Sequence, residues 1–234
     1  GIFELAGIPL IGCGTMTSAL CMDKDRAHKL AHAAGVQVPA SFLLKKNTDI
    51  EIALAQAESL RYPLFVKPVR AGSSYGITKV TDRCGLPAAI KLAFEYDDEV
   101  IVEESITGFE VGCAVMGNDT LTVGEVDEIE LSDGFFDFTE KYTLKTSAIH
   151  VPARISEEKT KEIKETAKTI YQALGCRGFA RVDMFLSSDG KVIFNEVNTI
   201  PGFTSHSRYP NMMKAAGIPF EQVISRVIEL AVGI

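Results

Sequence analysis

Within the stretch ARVDMFLSSDGKVIFNEVN, residues 180–198, Arg181, Asp183, Glu196 and Asn198 interrupt segments that otherwise alternate as half-buried strands. Asp189-Gly190 between the two runs is a strong hairpin signal, and a two-residue turn there pairs Ser188 with Lys191. Counting outward sets Asp183 opposite Glu196 and Arg181 opposite Asn198. Side chains alternate faces, so Val182, Met184 and Leu186 point away and the four polar groups converge on one patch. Opposed Cβ atoms lie about 5 Å apart, and two carboxylates at that distance destabilise a sheet unless positive charge lies between them. Carboxylate and amide oxygens without His or thiolate suit Mg²⁺ or Mn²⁺, which completes its shell with water and substrate phosphates.

A place for those phosphates is VKPVRAGSSYGITKV. It is not a Walker A motif, because Gly72 lacks the following Gly-Lys-[Ser/Thr] and the loop runs into a strand instead of a helix. Gly72 and Gly76 permit close backbone approach, and Ser73 and Ser74 can donate to phosphate oxygens; the alternative is an ordinary solvated turn. Lys67 favours the first reading, since a lysine inside an apolar strand is costly without an anionic partner. Lys24 is a second candidate cation, or a solvent-facing helix residue. In VIVEESITGFE, the strand end with Glu103, Glu104 and Glu110 can serve a purine edge and a ribose, or be no more than a charged strand terminus.

The elements that must position these groups follow from periodicity and caps. TSALCMDKDRAHKLAHAAG reads as one amphipathic helix closed by Gly35, VQVPASFLL as an edge strand, and Asp49 to Leu60 as a helix. LFVKP and ITKV are strands flanking the Gly-rich loop, LPAAIKLAFEYDD is a helix, and EVIVEESI is a strand. EVGCAVMG and LTVGEVDEIE form an antiparallel pair across Gly117-Asn118. The aromatic run LSDGFFDFTEKYTLKTSA is long enough to be a functional loop. Ser156 caps the helix that feeds the hairpin, NTIPGFTSHSRYP is loop, and PFEQVISRVIELAV is a final helix. The predicted class is therefore α+β with mainly antiparallel sheets.

With 234 residues and 46% hydrophobic content the chain can bury a substantial core. A net charge of -7 and a pI near 5.2 speak against a nucleic-acid partner. No membrane span or signal peptide is evident, which predicts a cytoplasmic protein. Five scattered cysteines without CxxC spacing predict structural thiols in place of a zinc site.

Taken in order, MDK, VKPVRAGSSYG, VEESITGFE, EKY, ARVD and NEVNTIPGFTSHS resemble the ATP-grasp D-alanine-D-alanine ligase family over essentially the whole chain. SALCMDK, CRGFARVDMFL and SRYPNMM are most similar to the vancomycin-resistance branch, in particular its D-alanine-D-serine ligases. The resemblance implies an ATP-grasp fold divided into a junction at 1–20, a central subdomain at 21–106 and a C-terminal subdomain at 107–234. It implies that Lys24 and Lys67 contact ATP phosphates, that Ser73 and Ser74 sit in a closing phosphate loop, that Glu103, Glu104 and Ile106 frame the adenine, and that Glu110 meets the ribose. Asp183, Glu196 and Asn198 would hold two Mg²⁺ ions, with Mn²⁺ able to substitute, and Arg181 would stabilise the transferring phosphoryl group. Ser207 would receive the acceptor's carboxylate, with Arg208 and Tyr209 as further acceptor candidates, and the loop around Glu140, Lys141 and Tyr142 would be a lid.

The implied reaction activates the carboxylate of D-alanine as an acyl phosphate, which the amine of D-serine then attacks. Rival readings are a D-alanine-D-alanine ligase, another ATP-grasp enzyme, and a non-catalytic ATP-binding module. The EKY motif favours an amino acid over D-lactate as acceptor, because D-lactate ligases of the resistance group lack this Lys-Tyr pair. The family implies a homodimer. The abrupt start at GIFELAG resembles the junction after a further N-terminal domain, so the expectation is a chain that binds Mg-ATP but makes little dipeptide by itself.

Overall fold

A computed structural model describes residues 1–131, 147–204 and 206–233. Lys141 and Tyr142 lie outside the described residues. The described strands form two antiparallel sheets. The smaller contains β1 (Ser41–Lys45), β2 (Leu64–Pro68), β3 (Thr78–Val80) and β4 (Glu99–Glu104) in the order β1-β4-β2-β3. The larger contains β5 (Gly108–Gly117), β6 (Leu121–Leu131), β7 (Ser147–His150), β8 (Phe179–Ser187) and β9 (Val192–Asn198) in the order β7-β6-β5-β8-β9. Residues 105–107 link the two sheets.

Each sheet has its own apolar core. Helices α4 (Ile50–Leu60) and α5 (Leu86–Ala93) cover the smaller sheet through Leu54, Ala57, Leu86 and Ile90 against Leu44, Leu64, Val66 and Val102. Helix α6 (Glu157–Ala173), capped by the Ser156 hydroxyl, buries Ile163, Ala167, Ile170 and Tyr171 against one face of the larger sheet. On the opposite face, α7 (Arg208–Ala215) and α8 (Phe220–Val232) bring Tyr209, Met212, Met213, Val223 and Val227 against Ala114, Met116 and Phe179. Close approach is possible because β6 carries Gly124, where a Cβ would lie 3.0 Å from the Met212 carbonyl carbon. The short α1 (Ile2–Leu5) has no buried residue.

The single helix expected from Thr17 to Gly35 is two: α2 (Thr15–Met22) and α3 (Lys24–Ala33). Asp23 separates them in extended conformation, with φ -89° and ψ 100°, and its carboxylate accepts the Arg26 amide at 3.0 Å. The break puts Lys24 on the first turn of a new helix. Both helices pack, through Cys21, Ala27 and Ala31, into the core of the larger sheet, so the boundary expected at residue 20 does not mark a change of core. Four of the five cysteines are buried and all are free. No described helix is long and apolar enough to cross a membrane.

The cap gives a direct test. Asp23→Ala should cost about 1–2 kcal/mol in denaturant unfolding, while Asp23→Asn, which keeps an acceptor, should recover most of that loss. Equal losses in the two variants would mean that the carboxylate's ion pairs, and not the cap, hold the break.

Candidate functional site

The hairpin of β8 and β9 sets Arg181 opposite Asn198 and Asp183 opposite Glu196, the pairing expected from the sequence, but by a different route. The connection is three residues, 188–190: the Ser187 amide donates to the Lys191 carbonyl at 2.9 Å, and Gly190 takes a φ of +82° to donate back to Ser187. Leu186, Phe185 and Met184 therefore pair with Val192, Ile193 and Phe194. A bulge at Asn195 then restores the register at Asp183, so that Asn195 and Glu196 both line the cleft between Phe194 and Val197, which face the core.

Across the larger sheet this pairing extends into a row. Asp127 on β6 pairs with Gly112 on β5, Gly112 with Asp183 on β8, and Asp183 with Glu196 on β9. The Arg208 guanidinium lies over the glycine. Its Nε and Nη2 donate to the two oxygens of Asp127 at 2.7 and 2.8 Å, Nη1 donates to Glu110 at 3.0 Å, and Nη2 stands 3.4 Å from Asp183. A Cβ on residue 112 would come within 2.4 Å of Nη2, which is why this position has no side chain. Burial works against the charge on Arg208, but Asp127, Asp183 and Glu110 outweigh it and hold its pKa well above the ordinary arginine value. Asp183, itself 1% exposed, also accepts from Arg181 Nε at 2.7 Å and Nη2 at 2.6 Å, and from Asn198 Nδ2 at 2.8 Å.

The second half of the cleft comes from the smaller sheet. Lys67 and Glu103, both buried, form an ion pair, and the other Glu103 oxygen is buried without a hydrogen-bond partner among the described residues. A buried carboxylate oxygen left in that state is costly, and a donor entering the cleft would satisfy it. Lys24 reaches from the start of α3 to the Ala71 carbonyl at 2.7 Å, at the base of the loop that carries Ser73 and Ser74. Those two serines have positive φ, +53° and +61°. The cleft is lined by Lys24, Lys67, Ser74, Glu103, Glu104, Ile106, Glu110 and Glu196; Ser73 belongs to the same turn without lining it.

The sequence reading missed the apolar walls, Phe65, Ile77, Phe109 and Phe185, and a third cation, Lys79. Strand alternation carried a signal, since Phe65 and Lys79 face each other across the β2–β3 ladder, with the Lys79 ammonium 5.9 Å from the ring centre. Glu104 is occupied by the Ala40 amide at 2.8 Å. Ser207 precedes the first turn of α7, its hydroxyl accepting the Thr204 amide at 3.1 Å. Tyr209 is a correction. It is fully buried, stacks with Phe203 and donates its hydroxyl to the Val115 carbonyl at 3.2 Å, so it supports the α7 core and not an acceptor subsite.

The donor set fits a hard divalent cation. Asp183 and Glu196, directly opposed on neighbouring strands, and Asn198 two residues beyond Glu196 on β9 offer oxygen ligands next to a cation-lined cleft. Three side chains, only two of them acids, are not enough for an all-protein cage, and among the described residues no cluster of three or more His, Cys, Asp or Glu side chains could form one. That is the pattern expected where water and phosphates complete the shell.

Residues 30–229 match the family model described as D-ala D-ala ligase C-terminus. The chain belongs to the D-alanine-D-alanine ligase family. Its fold is accordingly the α+β ATP-grasp fold. It is 49% identical to the vancomycin B-type resistance protein VanB of Enterococcus faecalis, covering 99% of this chain and 68% of that one. It is 46% identical to a D-alanine-D-alanine ligase of Caldicellulosiruptor bescii, covering 65% of that protein. Among solved structures, the VanG D-Ala:D-Ser ligase from Enterococcus faecalis is 65% identical with a TM-score of 0.92, covering 99% of this chain and 67% of that chain. The chain thus spans about two thirds of the length of these relatives.

The buried cluster predicts an asymmetric cost in this ligase-family fold. Arg208→Leu should destabilise by about 3–5 kcal/mol, because it removes the guanidinium that holds both oxygens of the fully buried Asp127, while Asp183 keeps Arg181 and Asn198. Adding Asp127→Leu should recover part of that loss. Denaturant unfolding of the two variants measures both, and a double variant weaker than the single by the full cost of a second deletion would contradict this account of the cluster.

Proposed function

We propose that this chain carries the ATP, metal and acceptor sites of a ligase that joins D-alanine to D-serine, the product entering peptidoglycan precursors that confer vancomycin resistance. The observation that carries the reading is the Asp183–Glu196 pair, with Arg181 bonded to Asp183 and Glu196 lining a cleft shared with Lys24 and Lys67. Positive charge is concentrated where a polyphosphate would need it, and paired acids stand where a divalent cation would bridge them to it.

In this reading the adenine lies between Ile77, Phe109 and Phe185, and its amino group supplies the donor that Glu103 lacks. Glu110 meets the ribose. Lys67 exchanges its partner Glu103 for a phosphate oxygen, and Ser73 and Ser74 close over the phosphates. Asp183, Glu196 and Asn198 would hold two Mg²⁺ ions, which when bound screen the charge of the phosphoryl oxygens. Arg181 turns from Asp183 toward the phosphoryl group passing to the carboxylate of D-alanine. Ser207, at the start of α7, receives the carboxylate of the acceptor, since a helix N-terminus favours an anion. Arg208 is held rigidly beside that subsite.

D-serine as the acceptor is supported by the 65% identity to a structure described as a D-Ala:D-Ser ligase. The second reading, D-alanine as acceptor, rests on the 46% identity to a D-alanine-D-alanine ligase. Competition among D-serine, D-alanine and D-lactate in an enzyme carrying this sequence decides between them, with D-alanyl-D-serine expected as the main dipeptide. A predominance of D-alanyl-D-alanine would reject the D-serine assignment and leave the family unaffected.

The site is tested separately. Lys67→Ala should weaken ATP binding, and Glu196→Gln should abolish Mg²⁺-dependent ATP turnover without unfolding the chain. A Glu196→Gln protein with undiminished Mg²⁺-dependent turnover would remove Glu196 from the metal site.

A further inference from the structure

We propose that His28 is a positioning residue for the metal site, holding the β9 bulge in the shape that sets Glu196 opposite Asp183. The inference rests on the reading of Glu196 as a metal ligand. His28 lies on α3, one turn beyond Lys24, and is 4% exposed. Its Nε2 is 2.8 Å from the carbonyl oxygen of Asn195, the residue inserted by the bulge. A carbonyl can only accept, so Nε2 carries the proton and Nδ1 is left as an acceptor, buried and without a partner among the described residues.

Burial lowers the pKa of His28, against the opposing pull of Glu103 and of the Asn195 carbonyl, and keeps the ring in the neutral form this hydrogen bond uses. The ring also packs edge-on against Phe194, with centroids 5.4 Å apart. On the far side of the bulge, the Phe194 amide donates to the Gln37 carbonyl at 2.8 Å.

A bulge leaves a peptide carbonyl outside the ladder, free to rotate and take the next side chain with it. Without a donor at that point, Asn195 can flatten into regular alternation, which would turn either Asn195 or Glu196 toward the core. His28 supplies that donor from the helix whose first residue is the phosphate cation Lys24, so the cation and the acid are held by one rigid element. A histidine that merely fills the core would depend on its ring contact with Phe194 and not on its N–H. The two roles separate by substitution.

The test titrates Mn²⁺ into the 234-residue protein with a non-hydrolysable ATP analogue, read by the EPR signal of free Mn²⁺, alongside analogue affinity in EDTA and thermal unfolding. His28→Phe keeps the ring contact and removes the donor; His28→Met is a second donor-free variant, flexible enough to fill the same space if the first folds poorly. Both should weaken Mn²⁺ binding about tenfold with little change in metal-free nucleotide affinity. His28→Gln, whose amide nitrogen reaches the place of Nε2, should restore most of the loss. Wild-type Mn²⁺ affinity in the donor-free variants, with Glu196→Gln weakened, would overturn the His28 role alone. Equal losses of metal and metal-free nucleotide binding would also overturn it, as a general loosening of the cleft. Wild-type affinity in Glu196→Gln would overturn the metal reading and this inference together.

Discussion

Three carboxylates in one row of an antiparallel sheet repel each other, and the larger sheet is built around that constraint. Asp127, Asp183 and Glu196 occupy one level of β6, β8 and β9, and the fourth position of the row, on β5, is Gly112. The missing side chain makes room for the Arg208 guanidinium between Asp127 and Asp183. Arg181 and Asn198 also donate to Asp183. Charge is thereby balanced at the Asp127 end, while Glu196, at the other end of the row, lines the cleft. The row thus runs from a buried, paired interior to the wall of the cleft.

The two sheets have separate cores, so something must keep their cleft-facing groups in register. Helix α3 does this. Its buried face, Ala27 and Ala31, belongs to the core of the larger sheet, yet Lys24 at its start is bonded to Ala71 in the loop between β2 and β3 of the smaller one. Ending α2 at Met22 and starting again at Lys24 is what aims that side chain across the gap. A continuous helix would carry Lys24 in mid-turn, without the Asp23 cap that fixes the new helix's first turn.

Much of this was legible in the sequence, and the reasons differ element by element. The pairing of Asp183 with Glu196 was reached from a two-residue turn, although the real turn has three residues; the bulge at Asn195 compensates for the extra one. The spacing carried that information. Phe194 and Val197 are both core residues separated by two polar ones, which strict alternation does not allow. The helix break was legible from Asp23, an N-cap residue type placed inside an apparently continuous amphipathic run. Helix α7 was hidden by Pro210, which reads as a loop signal but sits in a first turn, where a proline costs no hydrogen bond. The Asp127–Arg208 pair could not be found by local reasoning at all, because its partners are 81 residues apart and meet only through the packing of α7 on β6.

The loop between β2 and β3 shows a different balance between rigidity and strain. Its base is fixed: Lys24 holds Ala71, and Gly76 packs so closely that a Cβ there would meet the Tyr96 ring at 2.6 Å and the Pro68 ring at 2.8 Å. Its tip places two non-glycine residues in succession in the left-handed region, a conformation that costs about 1–3 kcal/mol for each. Glycine would adopt it without that cost, so serine hydroxyls at Ser73 and Ser74 are retained against a local preference. Hydroxyl and amide donors directed at the phosphates of a bound nucleotide would offset the strain only while the ligand is present. A loop fixed at its base and strained at its tip has fewer conformations to lose on meeting any ligand than a free one.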